Sequence, residues 1–184
     1  MSTEPNDMDF LKQELAMQSK KSGKLHWLWL SAFIFGIDQL VKWWVIQDFS
    51  LYQQVQVLPF FSLTLAYNTG AAFSFLGDAS GWQRWFLSGV AIIVSIMLVG
   101  WLKQLRSGEN WQACSLSLIL GGALGNLIDR LLNGHVTDFL LFYYKNWYFP
   151  AFNLADTAIT VGAAMLILDM FRSNPSYEGS SNDK

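Results

Sequence analysis

The stretch WQACSLSLILGGALGNLI, residues Trp111–Ile128, contains 18 residues and no charged side chain. An α-helix of that length is about 27 Å long, close to the roughly 30 Å thickness of a bilayer's hydrocarbon core. A second uncharged stretch, WFLSGVAIIVSIMLVGWL, covers Trp85–Leu102. Two further apolar stretches, Leu25–Ile46 and Ala151–Phe171, carry only two charged residues each. We therefore predict an α-helical membrane protein with four transmembrane helices.

The composition and the distribution of charge support this prediction. Hydrophobic residues make up 52% of the 184-residue chain and charged residues 14%, against about 25% charged residues in soluble domains. Segment 47–83 contains no Lys or Arg. Basic residues precede the first helix, connect the second to the third and follow the fourth: Lys20, Lys21, Lys24, Lys103, Arg106 and Arg172. The positive-inside rule then predicts cytoplasmic termini, with segments 47–83 and 133–150 on the outer side.

A single membrane domain, residues 25–172, accounts for most of the chain. We expect a polar cytoplasmic N-terminal extension before it (residues 1–24) and a disordered cytoplasmic tail after it (residues 173–184), since both are rich in polar side chains. The only cysteine, Cys114, falls inside the third helix, so an intramolecular disulfide is excluded and a buried, inert thiol is expected.

The outer segments contain signs of further structure. From Phe61 to Tyr67, large apolar and small side chains alternate, which is typical of a half-buried strand. A turn at Asn68-Thr69-Gly70 follows, and Ala71–Leu76 is a candidate second strand. We predict a small extracytoplasmic β-sheet. Segment 133–150 is rich in aromatic residues, which suits an outer loop that lies against lipid or covers a site as a lid.

The ionisable residues of the predicted helices gather at one depth, except for Asp169 at the cytoplasmic end of the fourth helix, where Arg172 three residues later can pair with it. Asp38 and Lys42 lie four residues apart in the outer half of the first helix, where an ion pair that fixes the helix in the bundle explains them. Asp129 and Arg130 lie at the outer end of the third helix. Neighbouring residues on a helix do not face each other, so each is expected to have a different partner.

Asp138 and Asp156 flank the outer segment between the third and fourth helices. Each has a structural explanation, because Asn153 can cap the fourth helix with Asp156 in its first turn, and Asp138 can belong to a turn. The aromatic surroundings, however, offer two carboxyl groups few partners. Carboxylates at the edge of hydrocarbon are costly and mark functional sites. A pair of them suits acid–base chemistry on a peptide bond.

Several other chemistries are disfavoured. His26 and His135 are predicted on opposite sides of the membrane, and no H-E-x-x-H motif, phosphate-binding glycine loop or basic nucleic-acid-binding face is present. A small transporter or proton channel, with the carboxylates as ion ligands, is the alternative function, but it needs polar residues through both leaflets and the second helix has almost none. A non-catalytic membrane scaffold would tolerate replacement of both aspartates.

A set of short motifs in order resembles the lipoprotein signal peptidases, the bacterial type II signal peptidases. The resemblance extends from about Leu25 to Phe171. It is carried by DQLVK (Asp38–Lys42), NTGAAF (Asn68–Phe73), GGALGNLIDR (Gly121–Arg130), GHVTDF (Gly134–Phe139) and FNLAD (Phe152–Asp156). It implies a four-helix membrane aspartic protease with Asp138 and Asp156 as the catalytic pair. The positions that match residues lining or supporting the family's site are Asn68, Gly70, Asn126, Arg130, Asn153, Asp38, Lys42 and Asp129.

The resemblance also implies a substrate and a location. Family members remove the signal peptide of prolipoproteins by cutting before a cysteine that carries a diacylglyceryl group. They use no metal or organic cofactor, and globomycin inhibits them. Their outer sheet forms a cradle on the membrane, and their outer loop forms a mobile lid. We accordingly expect a monomer in the bacterial inner membrane with its site near the outer leaflet, in contact with lipid and with no nucleic acid. The N-terminal extension is longer than the family requires.

Overall fold

The computed structural model describes residues 23–70 and 81–172. A 3-10 turn, Leu25–Trp27, leads into the first helix. The elements in chain order are α1 (Leu28–Asp48), β1 (Gln54–Leu58), β2 (Phe61–Asn68), α2 (Trp82–Gln104), α3 (Asn110–Asn133), β3 (Val136–Tyr144), β4 (Trp147–Tyr148) and α4 (Leu154–Arg172). The candidate strand Ala71–Leu76, most of the N-terminal extension and the C-terminal tail lie outside the described residues.

Four of the described helices are long and apolar enough to cross a membrane, which confirms the predicted number. In the 18-residue apolar stretch of α3, 61% of the residues are buried inside the protein, whereas 17–22% are buried in the corresponding stretches of the other three helices. The other helices therefore pack around α3 and present most of their apolar surface outward. Such a surface suits lipid, since lipid tails are as apolar as the side chains that face them.

Glycines allow α1 and α4 to approach α3 closely. A Cβ at Gly121 would lie 2.7 Å from the carbonyl oxygen of Ser31 on α1, and one at Gly122 would collide with the carbonyl oxygen of Ala155 on α4. On α4, a Cβ at Gly162 would lie 2.7 Å from the carbonyl oxygen of Ser115 on α3. Small residues at these crossings hold the backbones together, as is common between membrane helices.

The ends of the helices next to the outer segment are capped as the sequence suggests. Gly134 ends α3 with a φ of 81°, and its amide donates to Arg130 O at 3.1 Å. Asn153 begins α4: its Oδ1 accepts from the Asp156 amide at 2.9 Å, and its own amide donates to Asp156 Oδ2 at 3.4 Å. This reciprocal arrangement is a capping box, with Asp156 in the third helical position.

The sheet is antiparallel, with strand order β1-β2-β3-β4. β2 confirms the strand predicted from Phe61. Its register with β3 pairs Ala66 with Asp138, and a bridge between Leu140 and Phe152 joins β3 to the start of α4. The sheet is thus attached directly to the helix that carries Asp156.

The expectation of a loop between α3 and α4 is wrong for most of its length, because β3 and β4 occupy that segment. Residues Val136 to Phe139 of β3 are at most 2% exposed and buried on both faces of the strand. A strand buried on both faces lacks the alternation by which strands are recognised in a sequence. Asp138 is therefore a strand residue and not a turn residue.

Candidate active site

Two aspartates meet at the junction of β3 and α4. Asp138 lies on β3 and Asp156 in the first turn of α4. Asn153 contacts both: its Nδ2 donates to Asp138 Oδ1 at 2.7 Å, and its Oδ1 accepts from the Asp156 amide at 2.9 Å. The side chain of Asn153 thus caps α4 and binds the Asp138 carboxyl group, while the backbone amide of Asn153 donates to Asp156 Oδ2 at 3.4 Å.

Asp138 is buried, with 2% of its surface exposed. Burial and the neighbouring charge of Asp156 raise the pKa of Asp138 to about 7, although hydrogen bonds from Asn68 and Asn153 favour the charged form. Desolvation has the larger effect because a carboxylate loses its hydration when it is enclosed. Asp138 therefore holds a proton at a pH at which an ordinary carboxyl group has lost it.

Asp156 is half-buried and lies closer to open space. Its Oδ1 accepts from Asn126 Nδ2 on α3 at 2.7 Å. Its position in the first turn of α4 also places it near the positive end of the helix dipole, which favours a negative charge. The two carboxyl groups therefore have unlike surroundings.

An ion-pair cluster from α1 and α3 lies beneath this pair. Lys42 Nζ is 2.7 Å from Asp38 Oδ2 and 2.9 Å from Asp129 Oδ2. Asp38 Oδ1 accepts from the Ala155 amide at 2.9 Å, which fixes the first turn of α4. Because all three charged residues are at most 3% exposed, losing one partner would leave a buried charge uncompensated.

Arg130 approaches from the outer end of α3. Its Nη2 donates to Gly70 O and its Nη1 to Asn126 O, each at 3.2 Å. Asn68 Oδ1 accepts from the Gly70 amide, and Asn68 Nδ2 donates to Asp138 Oδ2, each at 3.1 Å. Arg130 thus connects the end of β2 to the aspartate pair.

A cavity of about 520 Å³ opens beside this cluster. It is lined by polar residues of the cluster and by an apolar wall: Asn68, Asn126, Arg130, Val136, Phe149, Pro150, Ala151, Phe152, Asp156, Thr157, Ile159, Thr160 and Val161. Asp156 lines it directly. Asp138 does not, and is bonded to Asn68, which does. The cavity is therefore suited to a ligand with one polar and one apolar part.

The structure brings every site residue expected from the sequence into this one cluster. The cluster also contains Gln39 and Thr137, which were not among the site residues expected from the sequence. Gln39 Nε2 donates to Asp129 Oδ1 at 3.0 Å and to Gly125 O at 3.2 Å, and the Thr137 amide donates to Asp129 Oδ2 at 3.2 Å. Gln39 could have been expected in the site because it directly follows Asp38. Thr137 could not, because it contributes through its backbone amide, which every residue except proline has. Within residues 23–70 and 81–172, no three His, Cys, Asp or Glu side chains are grouped so that they could hold a metal ion.

Comparisons with known proteins agree on one family. A family model described as Signal peptidase (SPase) II matches residues 30–172. Proteins named lipoprotein signal peptidase from Pseudomonas aeruginosa (strain UCBPP-PA14) and Pseudomonas syringae pv. tomato (strain ATCC BAA-871 / DC3000) are similar to this chain. The first is 61% identical over 160 residues, covering 86% of this chain and 95% of its own. The second is 54% identical over 167 residues, covering 90% and 96%.

A solved structure is also similar. It is described as "Bacterial membrane enzyme structure by the in meso method at 2.3 A resolution" and superposes with a TM-score of 0.74 at 29% identity, over 86% of this chain and 94% of that one. The match of the family model covers most of the four-helix domain, and the relatives align over nearly their full length. This chain is therefore a multi-pass membrane peptidase that belongs to the signal peptidase II family.

Proposed function

We propose that this protein is an intramembrane aspartic endopeptidase that removes signal peptides from diacylglyceryl-modified prolipoproteins. The observation that carries the proposal is the proximity of the Asp138 and Asp156 carboxyl groups, which both contact Asn153, with Asp138 buried and its pKa raised to about 7 by burial and by the charge of Asp156. Two neighbouring carboxyl groups in a poorly hydrated site share one proton, which is the state that hydrolysis by an aspartic protease requires.

The reaction consumes one water molecule and breaks one peptide bond. The ionised carboxylate takes a proton from the water, and the resulting hydroxide attacks the scissile carbonyl carbon. The protonated carboxyl group donates a hydrogen bond to the carbonyl oxygen and stabilises its developing charge. When the carbon–nitrogen bond breaks, the amine leaves with a proton from the pair. The products are a carboxylic acid and the amine of the cysteine residue, and the pair returns to its single proton.

The shape of the cavity supports the substrate class. Its polar side is formed by Asn68, Arg130 and Asp156. These side chains can form hydrogen bonds with the N–H and C=O groups of an extended peptide, which would otherwise be costly to bury. Its apolar side, formed by Phe152 and Ile159 among others, suits the acyl chains beside the scissile bond.

The depth of the site supports a cut close to the membrane surface. Asp156 to Phe171 is roughly 22 Å of helix, so the carboxylate lies several ångströms inside the outer edge of a hydrocarbon core of roughly 30 Å. A peptide bond next to a diacylglyceryl cysteine would lie near the same depth. We propose accordingly that the protein is a monomer in the bacterial inner membrane, with both termini cytoplasmic and the site near the outer leaflet.

The test is cleavage of a diacylglyceryl-modified prolipoprotein by the purified protein in detergent. We expect cleavage before the modified cysteine, inhibition by globomycin and no effect of a metal chelator. Asp138→Asn and Asp156→Asn should each lose at least about a hundredfold in rate, as expected when an acid–base group is removed. The exposed Asp48 provides a matched control, because Asp48→Asn makes the same chemical change away from the cluster. Full activity in either site variant would exclude the proposed mechanism.

A further inference from the structure

The ammonium group of Lys42 has three acceptors and makes use of each. Besides the carboxylates of Asp38 and Asp129, Lys42 Nζ donates to Asn126 Oδ1 at 3.1 Å. Lys42 is 2% exposed, so water does not compete for these contacts. A lysine ammonium has three N–H donors and no acceptor. All of its hydrogen-bonding capacity is thus directed at these three side chains.

This contact fixes the orientation of the Asn126 amide. Turning the amide over would place its NH2 group against the ammonium, where two donors would face each other. Oδ1 therefore faces Lys42 and also accepts from Asn153 Nδ2 at 3.2 Å, which leaves Nδ2 to face Asp156. An amide whose oxygen is bonded to a cation is polarised, and its N–H becomes a stronger donor. The positive charge on α1 thereby strengthens a hydrogen bond to Asp156.

Asp138 does not have an equivalent link. Its two amide donors are Asn153 and Asn68. The oxygen of Asn153 accepts from the Asp156 amide, and that of Asn68 from the Gly70 amide. Within the described part of the chain, neither of these amide oxygens is bonded to a cationic side chain. Of the two carboxyl groups, only Asp156 is linked to a lysine through one amide.

We propose that Lys42 is a positioning residue that, by fixing and polarising the Asn126 amide, makes Asp156 the ionised base and Asp138 the proton carrier of the pair. This inference rests on the two-aspartate mechanism proposed above and assigns the two roles within it. Asp156 also lines the cavity, whereas Asp138 is enclosed. Burial and the charge of Asp156 raise the pKa of Asp138, which agrees with the assignment, whereas the direct charge of Lys42 lowers that pKa.

Other charged groups act on the pair as well. Those that face it or its neighbours are Asp38 and Lys42 on α1, Asp129 and Arg130 on α3, and His135 before β3. A test must therefore separate the directed contact through Asn126 from the overall charge of the cluster. Removing Lys42 and Asp129 together achieves this, because one positive and one negative charge disappear and the net charge stays the same.

The first experiment reads the protonation states directly and needs no change in Lys42. The full-length protein is labelled with 13C at the aspartate side-chain carboxyl carbons, and the Asp138 and Asp156 signals are assigned from the Asp→Asn variants. At pH 6 we expect Asp156 at the shift of a carboxylate and Asp138 at that of a carboxylic acid. The opposite pattern would overturn the assignment. This measurement does not depend on activity, so it remains informative if the proposed reaction fails.

The second experiment compares pH profiles of kcat/KM for Lys42→Met/Asp129→Asn and for Asp129→Asn alone. In the double variant the acidic limb, which reports ionisation of the base, should move to higher pH by about one unit, a tenfold change in the acid dissociation constant. In the single variant it should not move upward, because Lys42 remains on Asn126 and a negative charge has been lost. A double variant that loses activity equally at every pH, with the limb unmoved, would show that Lys42 only supports the fold. If it does not fold, the carboxyl signals of the unmodified protein still decide the assignment.

Discussion

Replacing Asp138 by asparagine should abolish cleavage and, above neutral pH, make the protein more stable. The pKa of Asp138 is about 7 in the folded protein, above the ordinary value of 3.8. Between these values the folded state holds a proton that the unfolded chain releases. This contribution to stability is therefore fully present below about pH 3.8 and is lost as the pH rises through about 7. The asparagine side chain is neutral at every pH, so the variant does not show this loss.

The size of the effect follows from the pKa difference. From pH 5 to pH 8 the native protein should lose roughly 2.7 kcal/mol from this group, at about 1.36 kcal/mol per pH unit until the loss levels off around pH 7. The variant loses none of this. However, the NH2 group of the new asparagine faces the amide of either Asn68 or Asn153, which donates to Asp138 in the native protein. This loss of one hydrogen bond costs about 1 kcal/mol at all pH values. For a chain of this size the pH-dependent part corresponds to roughly 5–10 °C in Tm.

The assay is thermal unfolding in detergent at pH 5 and pH 8 for the native protein, Asp138→Asn and the control Asp48→Asn. The Tm of Asp138→Asn relative to the native protein should rise by several degrees from pH 5 to pH 8, while the control should follow the native protein. The variant should remain inactive at both values. The same Tm difference at pH 5 and pH 8 would refute the reasoning, because it would mean that Asp138 is not a buried group of raised pKa.

Three further outcomes are expected. The kcat/KM of the native protein should fall about tenfold per pH unit above about pH 7 as Asp138 loses its proton, and an activity that stays level up to pH 9 would contradict a role for that proton. Gly122→Ala should lower stability by about 1–3 kcal/mol and also reduce activity, because its Cβ collides with the backbone that carries the site aspartate of α4. Gly100→Ala, which meets nothing within 4 Å, is its control in thermal unfolding. In a background without the native cysteine, a membrane-impermeant maleimide applied to intact cells should label Asn146→Cys and not Lys103→Cys, and the reverse result would invert the proposed topology.

Much of the fold follows from features that are local in the sequence. Each helix is predicted by a run of apolar residues that is long enough to span the hydrocarbon core. Such a run must form a helix or a strand of a closed barrel, because backbone polar groups in lipid can be satisfied in no other way. The end of α3 at Gly134 and the cap of α4 at Asn153 are equally local, since each concerns a few consecutive residues. The strand at Phe61 could be found because one of its faces is exposed in part.

The sequence alone therefore determined four membrane helices, the position of β2 and the concentration of ionisable residues at one end of the bundle. Only the tertiary structure decided that β3 is a strand, that the side chain of Asn153 binds the Asp138 carboxyl group, and that Lys42 contacts Asn126. The physical reason is that these contacts join residues from 15 to 84 positions apart. Their geometry is set by how closely α1 and α4 pack on α3 and by the register of β3 on β2. Neither feature can be predicted from a single segment of the chain.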